Sequence, residues 1–206
     1  MPPQLSPNPG VEKDMEAVAT LEQDAQLMLR VRAGDETSFA LLLERHRRPV
    51  VHFLYRMVQN QAISEELAQE VFLRVYRSRE SYEPSAKFTT WLFRIATHLA
   101  LNSIRDRQKE KRNESLDQKT AEGLERQVAE DRPSIEADLV KQARVAEIRR
   151  IVEALPEKQR AAVVMHKYEG LDYQQIARIL NCSESALKSL LFRAYETLRV
   201  RLAHLA

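Results

Sequence analysis

Glycine is scarce in this sequence, and its scarcity narrows the choice of fold. Only 4 of the 206 residues are glycine, which leaves few positions for the tight turns that join short strands. Long stretches are instead rich in alanine, leucine, glutamate, arginine and glutamine, which favour helices. We therefore predict an all-α fold, and a hydrophobic content of 44% is enough to bury a core.

The sequence also lacks the usual ingredients of disulfides and metal sites. The single cysteine, Cys182, has no internal partner, which fits a reducing compartment and makes the cytoplasm the expected location. The histidines show no metal-ligand spacing, and no glycine-rich phosphate loop is present. They are His46, His52, His98, His166 and His204. We expect no cofactor, no metal, no small-molecule substrate and no enzymatic activity.

No stretch is apolar over the roughly 20 residues that a helix needs to span a bilayer. The best candidate, Phe88 to Ile104, is interrupted by Arg94. Residues 1–23 lack the basic start and apolar core of a secretion signal, and their prolines disfavour a helix. We interpret residues 1–23 as a disordered leader.

Net charge is also small. A formal charge of +2 is too low for a protein that coats nucleic acid with a uniformly basic surface. Any contact with nucleic acid must come from local basic patches set against acidic faces elsewhere. Such a mixed surface indicates more than one partner.

Apolar residues at three- and four-residue steps predict two small helical domains. The first covers residues 24–107 and the second covers residues 140–206, which are expected to form four helices. Between them, residues 108–139 carry mixed charges and few large apolar side chains, which predicts a flexible linker.

Proline and glycine predict where the helices of the first domain stop. Gly34 and Pro49 are expected to interrupt the pattern. Pro84 disfavours helix in the residue before it, so the last helix of this domain is expected to run from Thr89 to Arg107.

The second domain contains a pattern typical of a helix-turn-helix. Helices are predicted over residues 173–180 and 184–203, with Ser183 able to cap the second one. That helix combines an apolar face with outward Lys188, Ser189 and Arg193, which are donors for phosphates and base edges. The alternative is an ordinary pair of amphipathic helices whose basic residues are merely solvated.

The first domain interleaves aromatic and basic residues around Pro84 and along the following helix. Phe88 and Trp91 lie near Lys87 and Arg94, a combination that suits melted DNA because aromatic faces stack on unpaired bases. The alternative assigns these aromatics to the core, since Trp91 and its neighbours fall near helical spacing.

Two motifs, one in each predicted domain, resemble in their sequence and order the extracytoplasmic-function group of bacterial sigma factors. These are promoter-recognition subunits of RNA polymerase. Residues 65–72 and 88–96 resemble sigma region two. Residues 155–160 together with the helix-turn-helix resemble region four. The resemblance covers about residues 24–202 and implies a protein that binds core RNA polymerase, recognises both promoter elements and assists promoter melting.

The resemblance also implies roles for individual residues. Contact with duplex DNA of the upstream promoter element is implied for Ser185, Lys188, Ser189, Phe192 and Arg193. Contact with the melted strand of the downstream element is implied for Lys87, Phe88, Thr89, Trp91, Arg94, His98, Asn102 and Arg105. Binding of the polymerase clamp is implied for Glu66, Gln69, Glu70 and Arg74, and other surfaces of region four are expected to dock on the polymerase flap. An anti-sigma factor is a further expected partner.

Linker length predicts how the domains are used. Residues 108–137 as a flexible coil would average about 30 Å end to end, whereas promoter elements two helical turns apart lie ~70 Å from each other. We expect polymerase to fix the spacing and the isolated protein to bind duplex DNA weakly. Two other functions stay open from the residues alone: a dimeric regulator that binds a palindrome, and a helical interaction protein that binds no DNA.

Overall fold

The computed structural model describes residues 23–117 and 135–205, whose secondary structure is helical, without strands. The helices are α1 (23–32), α2 (Glu36–Val58), α3 (Gln61–Arg77), α4 (Phe88–Asp117), α5 (Ile135–Glu153), α6 (Glu157–Tyr168), α7 (Tyr173–Leu180) and α8 (Glu184–Leu202). Short 3-10 turns follow α3 and α8. The predicted all-α fold is confirmed. Residues 1–22 of the predicted leader lie outside the described residues.

In the N-terminal domain, α1 to α4 enclose an apolar core. Gly34 ends α1 with a φ of +97°, as its predicted interruption requires. The carboxylate of Asp35 then accepts hydrogen bonds from the Thr37 and Ser38 amides and caps α2. Asp24 on α1 is buried and bonds to side chains in the middle of α2, which fixes the two helices against each other.

The predicted interruption at Pro49 is wrong. Pro49 lies inside α2, which continues to Val58. A proline in a helix interior removes one backbone hydrogen bond and costs about 3 kcal/mol. The helix persists because residues on both sides of the proline are buried, among them Leu42, Phe53 and Leu54, and their packing offsets this cost.

Helix α4 is longer than the sequence pattern predicts. It continues to Asp117 rather than ending at Arg107, so the first part of the predicted linker is helical. Residues 108–117 contain lysine, glutamate and arginine, which are good helix formers without an apolar face. Residues 118–134 of the linker lie outside the described residues, and residues 135–139 belong to α5.

The C-terminal domain consists of the predicted four helices, α5 to α8. The shortest, α7, packs against α6 and α8. Its apolar side chains Ile176, Ile179 and Leu180 are buried. These contacts hold the second helix of the helix-turn-helix on a small core.

The two domains contact each other directly. Helices α2 and α4 pack against α6 and α7, and buried apolar residues of both domains form one continuous cluster. The sequence predicted two domains joined only by a tether. Helical periodicity marks which residues are buried but not which helix covers them, so this contact gave no sequence signal.

Candidate nucleic-acid and polymerase interfaces

The N-terminal half of α8 presents a polar surface to solvent. Leu187, Leu191 and Ala194 are buried against the rest of the C-terminal domain and direct the opposite side of the helix outward. The residues predicted to contact the upstream element are all exposed. They are Ser185, Lys188, Ser189, Phe192 and Arg193. This surface offers ammonium, guanidinium and hydroxyl donors together with one apolar ring, a set that suits a DNA groove.

Local contacts fix the turn that leads into α8. Asn181 adopts the left-handed conformation at a φ of 51°, which asparagine tolerates better than most residues. The Ser183 hydroxyl accepts a hydrogen bond from the Ala186 amide at 3.2 Å. The predicted cap is therefore confirmed, and it sets the direction in which α8 leaves the turn.

Residues 94–105 of α4 include an exposed polar stripe on the N-terminal domain. Its members, predicted to contact the downstream element, are Arg94, His98, Asn102 and Arg105. Lys87 is exposed just before the helix, and Thr89 is half-buried. Burial, with a smaller effect from Arg94, lowers the pKa of His98. The neutral form of the imidazole is therefore favoured at pH 7, and it presents hydrogen-bonding nitrogens rather than a charge.

The aromatic residues near this stripe differ in accessibility. Phe88 is fully buried, and its ring centroid lies 5.3 Å from that of His46. Trp91 is half-buried, with its ring centroid 5.0 Å from that of buried Tyr82. Phe88 therefore cannot stack on a base while the domain keeps this packing. Trp91 is the aromatic residue of the predicted downstream set that a base can reach.

Helix α3 places the predicted polymerase contacts on its outer side. Glu66, Gln69 and Arg74 are exposed, and Glu70 is half-buried. Arg74 Nε donates to the Glu70 carboxylate at 2.7 Å, so these two side chains orient each other. The sequence did not single out Leu73, which is 49% exposed on the same helix.

Leu73 forms part of an apolar groove between α2 and α3. Phe39, Leu43, Phe72 and Tyr76 line the groove with it, and its volume is about 700 Å³. The groove lies beside Gln69, so it adds an apolar area to the surface that is predicted to contact polymerase. The sequence signal that could have identified the groove is Leu73, an apolar residue on the otherwise polar outer face of α3.

Over residues 23–117 and 135–205, no group of histidine, cysteine, aspartate or glutamate side chains is arranged to hold a metal ion. Within the same ranges, none of the helices combines the length and the apolar character that crossing a membrane requires.

Comparison with protein families identifies both domains. A family described as Sigma-70 region 2 matches residues 42–110, and one described as Sigma-70, region 4 matches residues 146–198. These spans contain the two motifs on which the sequence resemblance rests. The residues proposed to contact DNA on α4 and α8 lie within them.

Similar proteins share nearly the full length of this chain. The chain is 31% identical to the RNA polymerase sigma-H factor of Pseudomonas aeruginosa, over 87% of this chain and 93% of that protein. It is also 31% identical to the ECF RNA polymerase sigma-E factor of Escherichia coli, over 85% and 92% respectively.

The fold resembles that of the sigma factor RpoE from Bartonella quintana, solved in complex with the anti-sigma factor NepR. The TM-score is 0.63 at 20% identity, covering 80% of this chain and 96% of that one. Both sigma regions are present in the expected order, and the two sigma-factor relatives match over most of their own length. The chain therefore belongs to the extracytoplasmic-function RNA polymerase sigma factors, which direct polymerase to promoters and start transcription.

Proposed function

We propose that this sigma factor reads its promoter with two surfaces, the N-terminal half of α8 for the upstream element and the polar stripe of α4 for the downstream element. The exposure of all five predicted α8 residues above a buried leucine and alanine face carries this proposal. Lys188 and Arg193 supply the positive charge, and Ser185 and Ser189 supply short donors that approach the DNA backbone.

The α4 stripe suits a melted strand better than a duplex. Arg94 and Arg105 are exposed cations for phosphates, and Trp91 offers a partly accessible ring to an unpaired base. Asn102 and neutral His98 add hydrogen-bonding groups for base edges. Strand separation is favoured wherever an unpaired base is held in this way, because binding offsets part of the cost of unstacking.

The same chain must also hold polymerase. We assign the clamp contact to Glu66, Gln69, Glu70 and Arg74 on α3, with the flap contacting the C-terminal domain. Transcription chemistry then belongs to polymerase, and the sigma factor contributes binding alone. The likeness to a sigma factor solved with an anti-sigma factor supports an anti-sigma partner for this chain as well.

In vitro transcription tests the proposal directly. Purified core polymerase is supplied with a pool of promoter fragments, with and without this protein, and the transcript starts are mapped. We expect defined starts that require the protein, preceded by two sequence elements at constant spacing. The replacement of both Lys188 and Arg193 by alanine should remove these starts while core binding persists.

Two outcomes would contradict the proposal. A protein that fails to bind core polymerase, but binds a palindromic duplex as a dimer, would be a conventional regulator. A protein whose activity tolerates the reversal of charge at Lys188 and Arg193 does not use α8 to read DNA.

A further inference from the structure

A buried, hydrogen-bonded pair of polar side chains lies beneath the aromatic residues near the α4 stripe. Asp24 on α1 is 1% exposed, and His46 on α2 is 7% exposed. His46 Nε2 lies 2.9 Å from the Asp24 carboxylate. Because a carboxylate only accepts hydrogen bonds, this ring nitrogen carries the hydrogen and donates it. The bond therefore fixes both the orientation and the tautomer of the imidazole.

The imidazole packs within a group of four rings, here termed the aromatic cluster. Its members are His46, Tyr82, Phe88 and Trp91. The centroid of Phe88 lies 5.3 Å from that of His46 and 6.0 Å from that of Trp91. The centroid of Tyr82 lies 6.3 Å from that of Phe88 and 5.0 Å from that of Trp91. Rings at these distances and tilts attract one another, so Trp91 rests on rings that His46 supports.

Trp91 is the member of the aromatic cluster that reaches the surface. It is half-buried, whereas Tyr82 and Phe88 are buried. Interior side chains are close-packed, so a shift of the His46 ring displaces the rings that pack on it. Such a displacement reaches solvent at Trp91, the ring proposed to stack on an unpaired base.

Helix α1 also holds the backbone that carries Tyr82. Arg32 Nη1 donates to the Tyr82 carbonyl at 3.2 Å. The Tyr82 hydroxyl is buried and has no hydrogen-bond partner among the residues that the structure describes. The position of this ring therefore depends on its packing and on the backbone contact with Arg32. Helix α1 thus supports the aromatic cluster at two points, Asp24 and Arg32.

A polar pair is a costly choice for this place in the core. The removal of a carboxylate from water is unfavourable, and apolar residues of similar volume often stabilise a core equally well or better. What the bond between Asp24 and His46 adds is direction, because a hydrogen bond orients the imidazole and apolar packing alone does not. Such directional support suits a site in which the position of one side chain decides binding.

We propose that α1 positions Trp91 for capture of the melted strand. Asp24 acts through His46, and Arg32 acts through Tyr82; both are positioning residues that do not touch DNA. This role rests on the base-stacking function proposed above for Trp91. Residues 23–32 of α1 precede residues 42–110, the span that matches Sigma-70 region 2, so a helix outside that span takes part in holding the unpaired base.

Fluorescence of the free protein tests the positioning by itself. Trp91 is the single tryptophan of the chain, so the tryptophan emission reports this ring alone. Asp24→Leu removes the acceptor of the His46 hydrogen bond and should move the emission maximum to longer wavelength, because the displaced ring meets more water. Asp24→Asn keeps an oxygen acceptor and should emit as the native chain does.

Leu54→Ala is the control for lost stability. Leu54 is fully buried and lies about 12 Å along α2 from His46, so the folded variant should keep the native emission although its core contains a cavity. Native emission from Asp24→Leu would overturn the positioning. If Asp24→Leu does not fold, Arg32→Ala decides, because Arg32 is exposed and its loss leaves the core intact. It should shift the emission in the same direction, and native emission would overturn the support by α1.

DNA binding by the holoenzyme tests whether the position of Trp91 matters. The probe is a fluorescein-labelled fork that carries the downstream element of a promoter mapped by transcription. Trp91→Ala should weaken binding to this fork about 5- to 150-fold, the range for the loss of one stacked base. Asp24→Leu should weaken it at least about fivefold, whereas Asp24→Asn and Leu54→Ala should bind as the native chain does. The double variant of Asp24→Leu with Trp91→Ala should bind no more weakly than Trp91→Ala alone, because Asp24 acts through Trp91.

The two proposals fail in different ways. Additive losses in the double variant, or an unchanged affinity of Asp24→Leu where Trp91→Ala binds weakly, would overturn the positioning role of α1. A Trp91→Ala holoenzyme that binds the fork as tightly as the native holoenzyme would instead contradict the function proposed for Trp91, whatever the emission spectra show.

Discussion

At the scale of single residues, position relative to the core separates structural from DNA-contacting side chains. Phe88 and Phe192 were both predicted to contact DNA, yet Phe88 is fully buried and Phe192 is 68% exposed. Sequence pattern could not separate them, because an aromatic residue at helical spacing suits a core as well as a base platform. The environment of each ring decides which role it has.

These two phenylalanines give a matched pair of substitutions. Phe88→Ala should lower the free energy of unfolding by about 3–5 kcal/mol, because it empties a filled site in the core. Phe192→Ala should change stability by less than about 0.5 kcal/mol but weaken promoter binding by the holoenzyme. Urea unfolding followed by circular dichroism measures the first effect. Equal loss of stability in the two variants would contradict this assignment.

Lys188 is the residue whose proposed role depends most on charge. If Lys188 contacts a base edge, Lys188→Ala should weaken binding of the holoenzyme to its promoter by about 1–3 kcal/mol. If Lys188 contacts the DNA backbone, the substitution should instead reduce the salt dependence of the binding constant by about one phosphate contact. Lys167→Ala is the control, since Lys167 is also an exposed lysine but lies on α6, outside the set of residues predicted to contact the upstream element. A titration of binding against salt concentration distinguishes the two contacts. Equal effects of the two substitutions on promoter binding would show that Lys188 does not contact the upstream element.

At the scale of helices, local chemistry predicted some boundaries and missed others. The limits of α7 and the start of α8 agree with the prediction because Asn181 and Ser183 act through their immediate neighbours. Pro49 and the end of α4 were missed for opposite reasons. Tertiary packing keeps α2 intact despite a strong local breaker, and intrinsic propensity extends α4 where no apolar face marks a helix.

The cap of α8 is a single local hydrogen bond, but its loss should affect all the residues of α8 that are proposed to contact DNA. Ser183→Ala removes the acceptor of the Ala186 amide and should lower the stability of the C-terminal domain by about 1 kcal/mol. Ser183→Asn supplies another good capping acceptor and should restore most of it. Thermal unfolding of both variants measures the difference. Equal stabilities for alanine and asparagine at this position would show that the cap contributes little.

At the scale of the whole molecule, sequence predicted the two domains but not their contact. The motifs identified each domain because they depend on residues close together in the chain. The contact between the domains instead joins distant residues such as Thr90 and Gln175 or Met57 and Arg160. Each looks like an ordinary polar or helical residue until the fold brings its partner to it.

Glu169 should make the stability of the whole fold depend on pH. Burial, opposed in part by Arg56, raises the pKa of Glu169 from 4.5 to about 7. Unfolding would return the carboxyl to water and to its ordinary pKa. Between these two values the folded chain holds a proton that the unfolded chain has released, so the folded chain is favoured at lower pH and loses stability as pH rises through about 7. Well above pH 7 both states are ionised and the dependence ends.

From pH 6.0 to pH 7.5 the contribution of Glu169 should therefore lower the ratio of folded to unfolded protein about eightfold. Glu169→Gln cannot ionise and should lose this part of the pH dependence. Urea unfolding of both proteins at the two pH values checks the prediction. Glu169 does not govern the dependence if the glutamine variant loses as much stability as the native chain, because some other group must then release the proton that accompanies unfolding.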